Sequence, residues 1–220
     1  MLNSAAYHRL LAHYQEYEYT FKFFENFDPF GSKQILLRHD VDFDIYMAWW
    51  MAKLEYIMEV KSTYFFLTHS DAYNILSPKS INMIQEIRLF GHRIGLHFDP
   101  ELKFEEQLRV FQLATEYEDQ NPIVSIHRPR MTLNVQQPFW STYEDRYFKN
   151  ITYVSDSRCV VPNKIMNNGQ LLIHPIWWYT QAGTMVQKLN KLVRMKGQKF
   201  KEHIADNIRS LDIKELKELK

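Results

Sequence analysis

Again and again along this chain, an apolar β-rich run stops abruptly at charged or imidazole side chains. In "ILLRHDVDFD" at 35–44, three aliphatic residues give way to Arg38, His39 and aspartates at 40, 42 and 44. An unpaired charge is too costly to bury, so such a break marks a strand whose C-terminal end opens into a polar pocket. The pattern repeats at His97 and Asp99 in "HRIGLHFDPEL", and at His127 and Arg128 in "IVSIHRPR". It recurs at Asp156 in "ITYVSDS" and at His174 in "QLLIHPIWW".

Helical patterns separate these runs. Residues 4–18 and 44–60 have helical apolar spacing, with strands expected at 34–38 and 61–68 beside them. A further helix is expected over 78–90, with Pro78 early and Gly91 where a C-terminal cap belongs, and another over 101–119. This alternation predicts an α/β fold with a parallel sheet, specifically a distorted or incomplete (β/α) barrel, in one domain over 1–220. In such barrels the strand ends converge on one rim, so the separate polar motifs are expected to line one pocket. Residues 184–220, rich in Lys and Leu, read as a C-terminal helical extension packed on the barrel or on another subunit.

A net charge of +1 argues against a general nucleic-acid or anionic-membrane binder, which concentrates basic residues. The single cysteine, Cys159, excludes an intrachain disulfide framework and a cysteine-rich zinc site, and fits a reducing compartment. The first 24 residues mix His, Arg, Gln and Glu with apolar residues, so they suit neither a secretory signal nor a membrane span. A cytoplasmic location is therefore expected.

Two carboxylates at i and i+2, a histidine and another carboxylate are ligands for a divalent ion such as zinc, iron, cobalt or manganese. An ion there would answer the clustering of aspartates after an apolar run. It would act as a Lewis acid towards water, with a carboxylate and a histidine nearby to move protons.

The set "HDVDFD", "GHRIGLHFDP", "SIHRPR", "YVSDS" and "LLIHPIWW", in this order, resembles the NodB-homology polysaccharide deacetylases of carbohydrate esterase family 4. The likeness is especially to the divergent branch associated with surface-polysaccharide biosynthesis, including that of lipopolysaccharide. Single motifs of this kind are weak, whereas five in sequence, from about residue 35 to 178, are specific. The resemblance implies that Asp40 is the general base, held by Arg128, that Asp42 and His97 ligate the metal, and that His174 is the general acid, oriented by Asp156. It also implies an oxyanion contact from the backbone near Met131.

One departure stands out. The family's second metal histidine falls four residues after the first, where this chain has Glu101. Asp99, Glu101 and His127 are the candidates for the missing ligand, with Asp99 favoured. The implied function is a metal-dependent hydrolase, with zinc the expected metal, that removes an acetyl or related acyl group from an N-acylated sugar or sugar-containing precursor. The alternative is a noncatalytic carbohydrate-binding member of the same fold, which the substitution at 101 motivates. Trp177 and Trp178 suit either stacking on a sugar or closing the core. His92 reads as a surface or packing residue.

Overall fold

A computed structural model describes residues 1–117, 122–129, 139–165, 167–181 and 183–208. The chain divides into two compact units, Met1–Ala182 and Gly183–Lys220. The first contains strands β1 (Thr20–Lys22), β2 (Gln34–Val41), β3 (Thr63–Phe66), β4 (Arg93–Phe98), β5 (Val124–Ile126), β6 (Thr152–Ser155) and β7 (Gly169–Ile173). Its α-helices are α1 (Ser4–Glu16), α2 (Ile45–Ile57), α3 (Pro78–Leu89), α4 (Phe104–Thr115), α5 (Asp145–Phe148) and α6 (Pro175–Tyr179). The second unit contributes α7 (Met185–Asn207).

All strand pairs are parallel, in the order β5-β4-β3-β2-β7-β6, with β1 alongside the start of β2. Among the described residues β5 and β6 do not pair with each other, so the sheet is an incomplete (β/α) barrel. Every strand consequently points its C-terminal end to the same side, as the sequence pattern requires.

The helix starts follow from local chemistry. Asn3, Asp44 and Ser77 each cap a helix by accepting a backbone N–H, at 2.8 Å from Ala6, 2.9 Å from Tyr46 and 3.2 Å from Ser80. Such a cap is worth about 0.5–2 kcal/mol. Asp44, the last carboxylate of the first motif, thus serves α2. Gly91 follows α3 with φ +86°, the left-handed conformation in which a side chain is disfavoured.

Two local expectations are corrected. The strand expected at 34–38, β2, does not stop at residue 38 but runs to Val41, the charges at 38 and 40 pairing with each other instead of breaking the ladder. The segment after His174 is helical, since Pro175 opens α6 at its first turn. Trp177 and Trp178 are accordingly buried in the core.

Period-two alternation sorts the central strands. Val41, Tyr64, Phe66 and Leu96 pack with Ala48, Ala52, Ile84 and Ile87 on the helix-covered side. Leu36 and Phe65 belong to a second cluster with Phe24, Phe27 and Tyr147. On the helix-covered side, Glu55 of α2 is fully buried. It accepts from the hydroxyls of Tyr7, Ser62 (2.6 Å) and Tyr64 (2.9 Å), and lies 2.7 Å from His39 Nε2. Burial pushes Glu55 up, but His39 and the hydrogen bonds bring it down to about 2. His92 joins this group through Ser62 and the carbonyl of Ala52, so it is a buried packing residue rather than a surface one.

Gly95, in β4, is needed for close approach. A Cβ there would lie 2.6 Å from the Ile123 carbonyl oxygen and from the Phe65 ring. Gly95→Ala is expected to cost about 1–3 kcal/mol by overpacking. A fall in Tm with the same circular dichroism spectrum would register it, and an unchanged Tm would count against the crowding.

Candidate active site

The C-terminal ends of the strands surround a cavity of about 670 Å³ whose lining includes Asp40, Asp42, His97, His127 and His174. Tyr143, Tyr153 and Phe43 add aromatic surface to its wall. The pocket therefore combines acids, imidazoles and ring faces at one end of the sheet.

Its deepest feature is an ion pair on a single strand. Residues 38 and 40 share a face of β2, so Arg38 reaches Asp40 in a fork: Nε donates to Oδ1 at 2.9 Å and Nη2 to Oδ2 at 2.7 Å. Nη1 donates to Thr142 and Gln170, at 2.9 and 3.0 Å, and the second hydrogen of Nη2 is shared between the hydroxyls of Ser125 and Tyr143, at 2.5 and 3.1 Å. Burial acts to raise Asp40, but Arg38 and His97 hold its carboxyl well below the usual range. The arginine on Asp40 is thus Arg38, not Arg128. Arg128 lines the same pocket, is exposed, and has φ +47° rather than the extended conformation usual before proline.

Ser125 links two parts of the site. Its hydroxyl donates to Asp40 Oδ1 at 2.9 Å and stands 3.1 Å from His97 Nδ1. Its carbonyl oxygen lies 3.0 Å from the same Nδ1. A carbonyl only accepts, so Nδ1 carries the hydrogen and Nε2 is left as the electron-pair donor.

Nε2 of His97 faces Asp42 Oδ1 at 3.2 Å and His127 Nδ1 at 3.1 Å, and the last two atoms are 3.7 Å apart. Asp42, His97 and His127 form a group able to hold a metal ion. Ligands about 2.0–2.1 Å from a tetrahedral ion lie roughly 3.3–3.4 Å from one another, so this triangle fits one face of such a shell. Asp42 Oδ1 is moreover buried, and no hydrogen bond satisfies it among the described residues. An ion would satisfy it.

The protonation tendencies agree with that fit. Burial pushes His97 down, yet Asp40 and Asp42 bring it above its ordinary value. His127 is pushed below its ordinary value by burial and by His97. Burial acts to raise Asp42, but His97 and His174 hold it low.

Asp99 is not in this group. It lines the pocket, but its Oδ1 accepts the backbone N–H of Glu101 at 3.0 Å, while its own N–H and C=O bond the Gln107 side chain. That turn engages one of its carboxylate oxygens within its own loop. Where the sequence reading favoured Asp99, the group able to hold an ion among the described residues takes His127, two positions after Ser125 at the end of the neighbouring strand.

Opposite the triangle stands a dyad. Asp156 Oδ1 lies 2.6 Å from His174 Nδ1, and both carboxylate oxygens accept the backbone N–H of His174, at 3.1 and 2.9 Å. The Trp178 indole N–H donates to Oδ2 at 2.6 Å, fixing the carboxylate from behind. Burial lowers the affinity of His174 for a proton, but Asp156, Asp42 and Asp40 raise its pKa to about 9. Nε2 of His174 points towards the acids, 3.9 Å from Asp42 Oδ2.

The structure thus brings together Asp40, Asp42, His97, His127, Asp156 and His174, and adds Arg38, Ser125 and Trp178. The signals for the additions were spacing ones: i, i+2 on one strand face for Arg38 and Ser125, and i, i+4 on α6 for Trp178. Met131 lies outside the described residues.

No family model matches the chain, and no curated protein does. Among solved structures, a family 4 carbohydrate esterase from Bacillus anthracis matches at 16% identity and TM-score 0.42, over 75% of this chain and 76% of that one. A CE4-family pseudoenzyme from Bacillus anthracis matches at 12% identity and TM-score 0.39, over 78% and 63%. A mutant described as a CE4-family pseudoenzyme with restored enzymatic activity matches at 13% and TM-score 0.39, over 78% and 65%. The family these neighbours name is the one the motifs resemble. At such identities and TM-scores the likeness says nothing of activity, and the chain spans under two thirds of the latter two.

Proposed function

We propose that the protein is a metal-dependent hydrolase that removes an acetyl or related acyl group from an N-acylated sugar. The observation that carries this reading is the placement of two halves around one cavity: the Asp42–His97–His127 triangle and the Asp156–His174 dyad. The motif order at 35–178 supports the choice of an N-acyl sugar, as do aromatic faces from Tyr143 and Tyr153 beside polar groups. A role in building a cell-surface polysaccharide rests on the motif resemblance.

Asp42, His97 and His127 would hold the ion, with zinc favoured by the mixed imidazole and carboxylate set. Such an ion polarises an acyl carbonyl and brings the pKa of water towards neutrality. Asp40, locked as a carboxylate by Arg38, orients and accepts a hydrogen from the attacking water. His174, protonated through neutrality, faces the same space and delivers a proton to the departing amine. Asp156 and Trp178 hold its ring in that direction.

Metal analysis of the purified protein and its variants tests the arrangement. Asp42→Ala, His97→Ala and His127→Ala are each expected to lose stoichiometric metal, whereas Asp99→Ala retains it. Release of free amine from N-acyl sugars should require the metal and disappear in the same three variants. Metal retained in His127→Ala but lost in Asp99→Ala would reverse the ligand assignment. Absence of metal from the reconstituted protein would favour the noncatalytic sugar-binding alternative.

A further inference from the structure

We infer that Tyr73 and Ser70, in the loop between β3 and α3, are positioning residues that aim Asp42 at a bound metal ion. The inference rests on the reading of Asp42 as a metal ligand. β2 ends at Val41, so Asp42 stands one residue past the strand. Its Oδ1 is buried, and among the described residues no hydrogen bond holds it. The aim of this carboxylate therefore depends on the backbone that carries it.

The loop holds that backbone on both sides. The Tyr73 hydroxyl donates to the Val41 carbonyl at 2.8 Å, and the Ser70 hydroxyl donates to the Asp42 carbonyl at 3.3 Å. A peptide unit is planar, so fixing the carbonyl of residue 41 fixes the plane that enters Asp42, and fixing that of residue 42 fixes the plane that leaves it. With both planes set, the direction in which the side chain leaves the chain is set as well, and only a choice among a few staggered rotamers remains.

Both hydroxyls are themselves anchored. The Leu67 N–H donates to the Tyr73 hydroxyl at 2.8 Å, so the phenol joins the first residue after β3 to the last residue of β2, where the pairing of the two strands ends. The Tyr73 ring packs against the helix-side core. Burial holds its pKa well above the ordinary tyrosine value, so the hydroxyl keeps the hydrogen it donates. Ser70 Oγ accepts the Ala72 N–H at 3.1 Å, and Ser70 and Tyr73 face each other across an antiparallel bridge. One turn of the loop thus carries both donors.

Zinc affinity of the full-length protein, measured by competition with a chelating dye, tests the assignment. Tyr73→Phe keeps the ring and removes the bridge, and should weaken zinc binding by about tenfold, the scale of losing an outer partner of a metal ligand. Ser70→Ala should weaken it less, and Ser70→Thr, which keeps a hydroxyl, should retain it. Ser77→Ala, which removes the cap of α3 at the far end of the same loop, is the control: Tm should fall while zinc affinity stays at the wild-type value. Unchanged affinity in Tyr73→Phe overturns the inference and leaves the metal reading standing. So does an equal loss in Ser77→Ala, since affinity would then follow stability alone. If Tyr73→Phe does not fold, the serine decides: wild-type affinity in Ser70→Ala overturns the inference. A wild-type protein that takes up no divalent metal overturns the inference and the metal reading together.

Discussion

Replacing Arg38 by methionine is expected to destabilise the protein by about 3–5 kcal/mol, because it strands a buried carboxylate. Arg38 is fully buried, and Asp40 is only 4% exposed. Without the guanidinium, Asp40 keeps the Ser125 hydroxyl and a His97 nitrogen 3.8 Å away. Thr142 and Gln170 lose a donor as well. The pH dependence should change sign. In the wild type, Asp40 is depressed, so its contribution is present above its unfolded pKa and is lost as pH falls through the lower folded value. In the variant, desolvation dominates and the folded pKa rises, so the penalty shrinks as pH falls and the carboxyl becomes neutral. Urea denaturation from neutral pH to well below the unfolded carboxylate pKa of about 3.9 measures both effects. Arg38→Met/Asp40→Leu should recover much of the loss, since an apolar pair leaves no charge unmet. A single-variant cost below about 1 kcal/mol would mean that water reaches Asp40 and that the pair is not sealed.

That buried pair also marks how far the sequence could be read. Strand-to-charge breaks placed Asp40, Asp42, His97, His127, Asp156 and His174 at strand ends, and parallel connectivity brought those ends together. The spacing could not say which carboxylate belonged to which role. Asp99 and Asp42 look alike as letters, but a two-residue turn to Glu101 makes one a local cap while the other is left facing imidazoles. Arg128 and Arg38 were likewise equivalent in charge. The choice between them is decided by strand parity, which puts Arg38 and Asp40 on the same face, and by the left-handed φ of Arg128. His127 is a further case: it was one of three candidates in the sequence, and its place beside Asp42 and His97 comes from the neighbouring strand, a tertiary relation that spacing along one segment does not rank. The Glu55 network was missed because a glutamate within a helix is usually solvated. Its burial depends on hydroxyls from α1, β3 and the segment before it converging on one point.

His174→Ala is expected to lower turnover by about 10²–10⁴-fold, the usual contribution of a positioned proton donor, while leaving metal content unchanged. Asp156→Asn should retain part of that activity but move the alkaline limb of the rate profile downward. The reason is the pKa of His174, about 9 with the Asp156 carboxylate 2.6 Å from Nδ1. An amide carries no charge to hold the ring protonated, and an ion in the Asp42 group would offset a second source of the upward shift. Stability provides an independent reading. A histidine whose folded pKa exceeds its unfolded value of about 6.5 contributes stability fully below that pH, and loses it as pH rises through about 9. Wild-type stability should therefore fall across this window relative to Asp156→Asn, whose profile should be flatter. The introduced amide would also turn an N–H towards the Trp178 indole or the His174 backbone, so a Trp178→Phe partner substitution should relieve part of the variant's constant loss without restoring the slope. Histidine NMR titration of metal-free protein checks the origin of both effects. A His174 resonance titrating near its ordinary value of about 6.5 in the wild type would remove the dyad from the proton-transfer scheme and leave Asp156 as a structural anchor for α6.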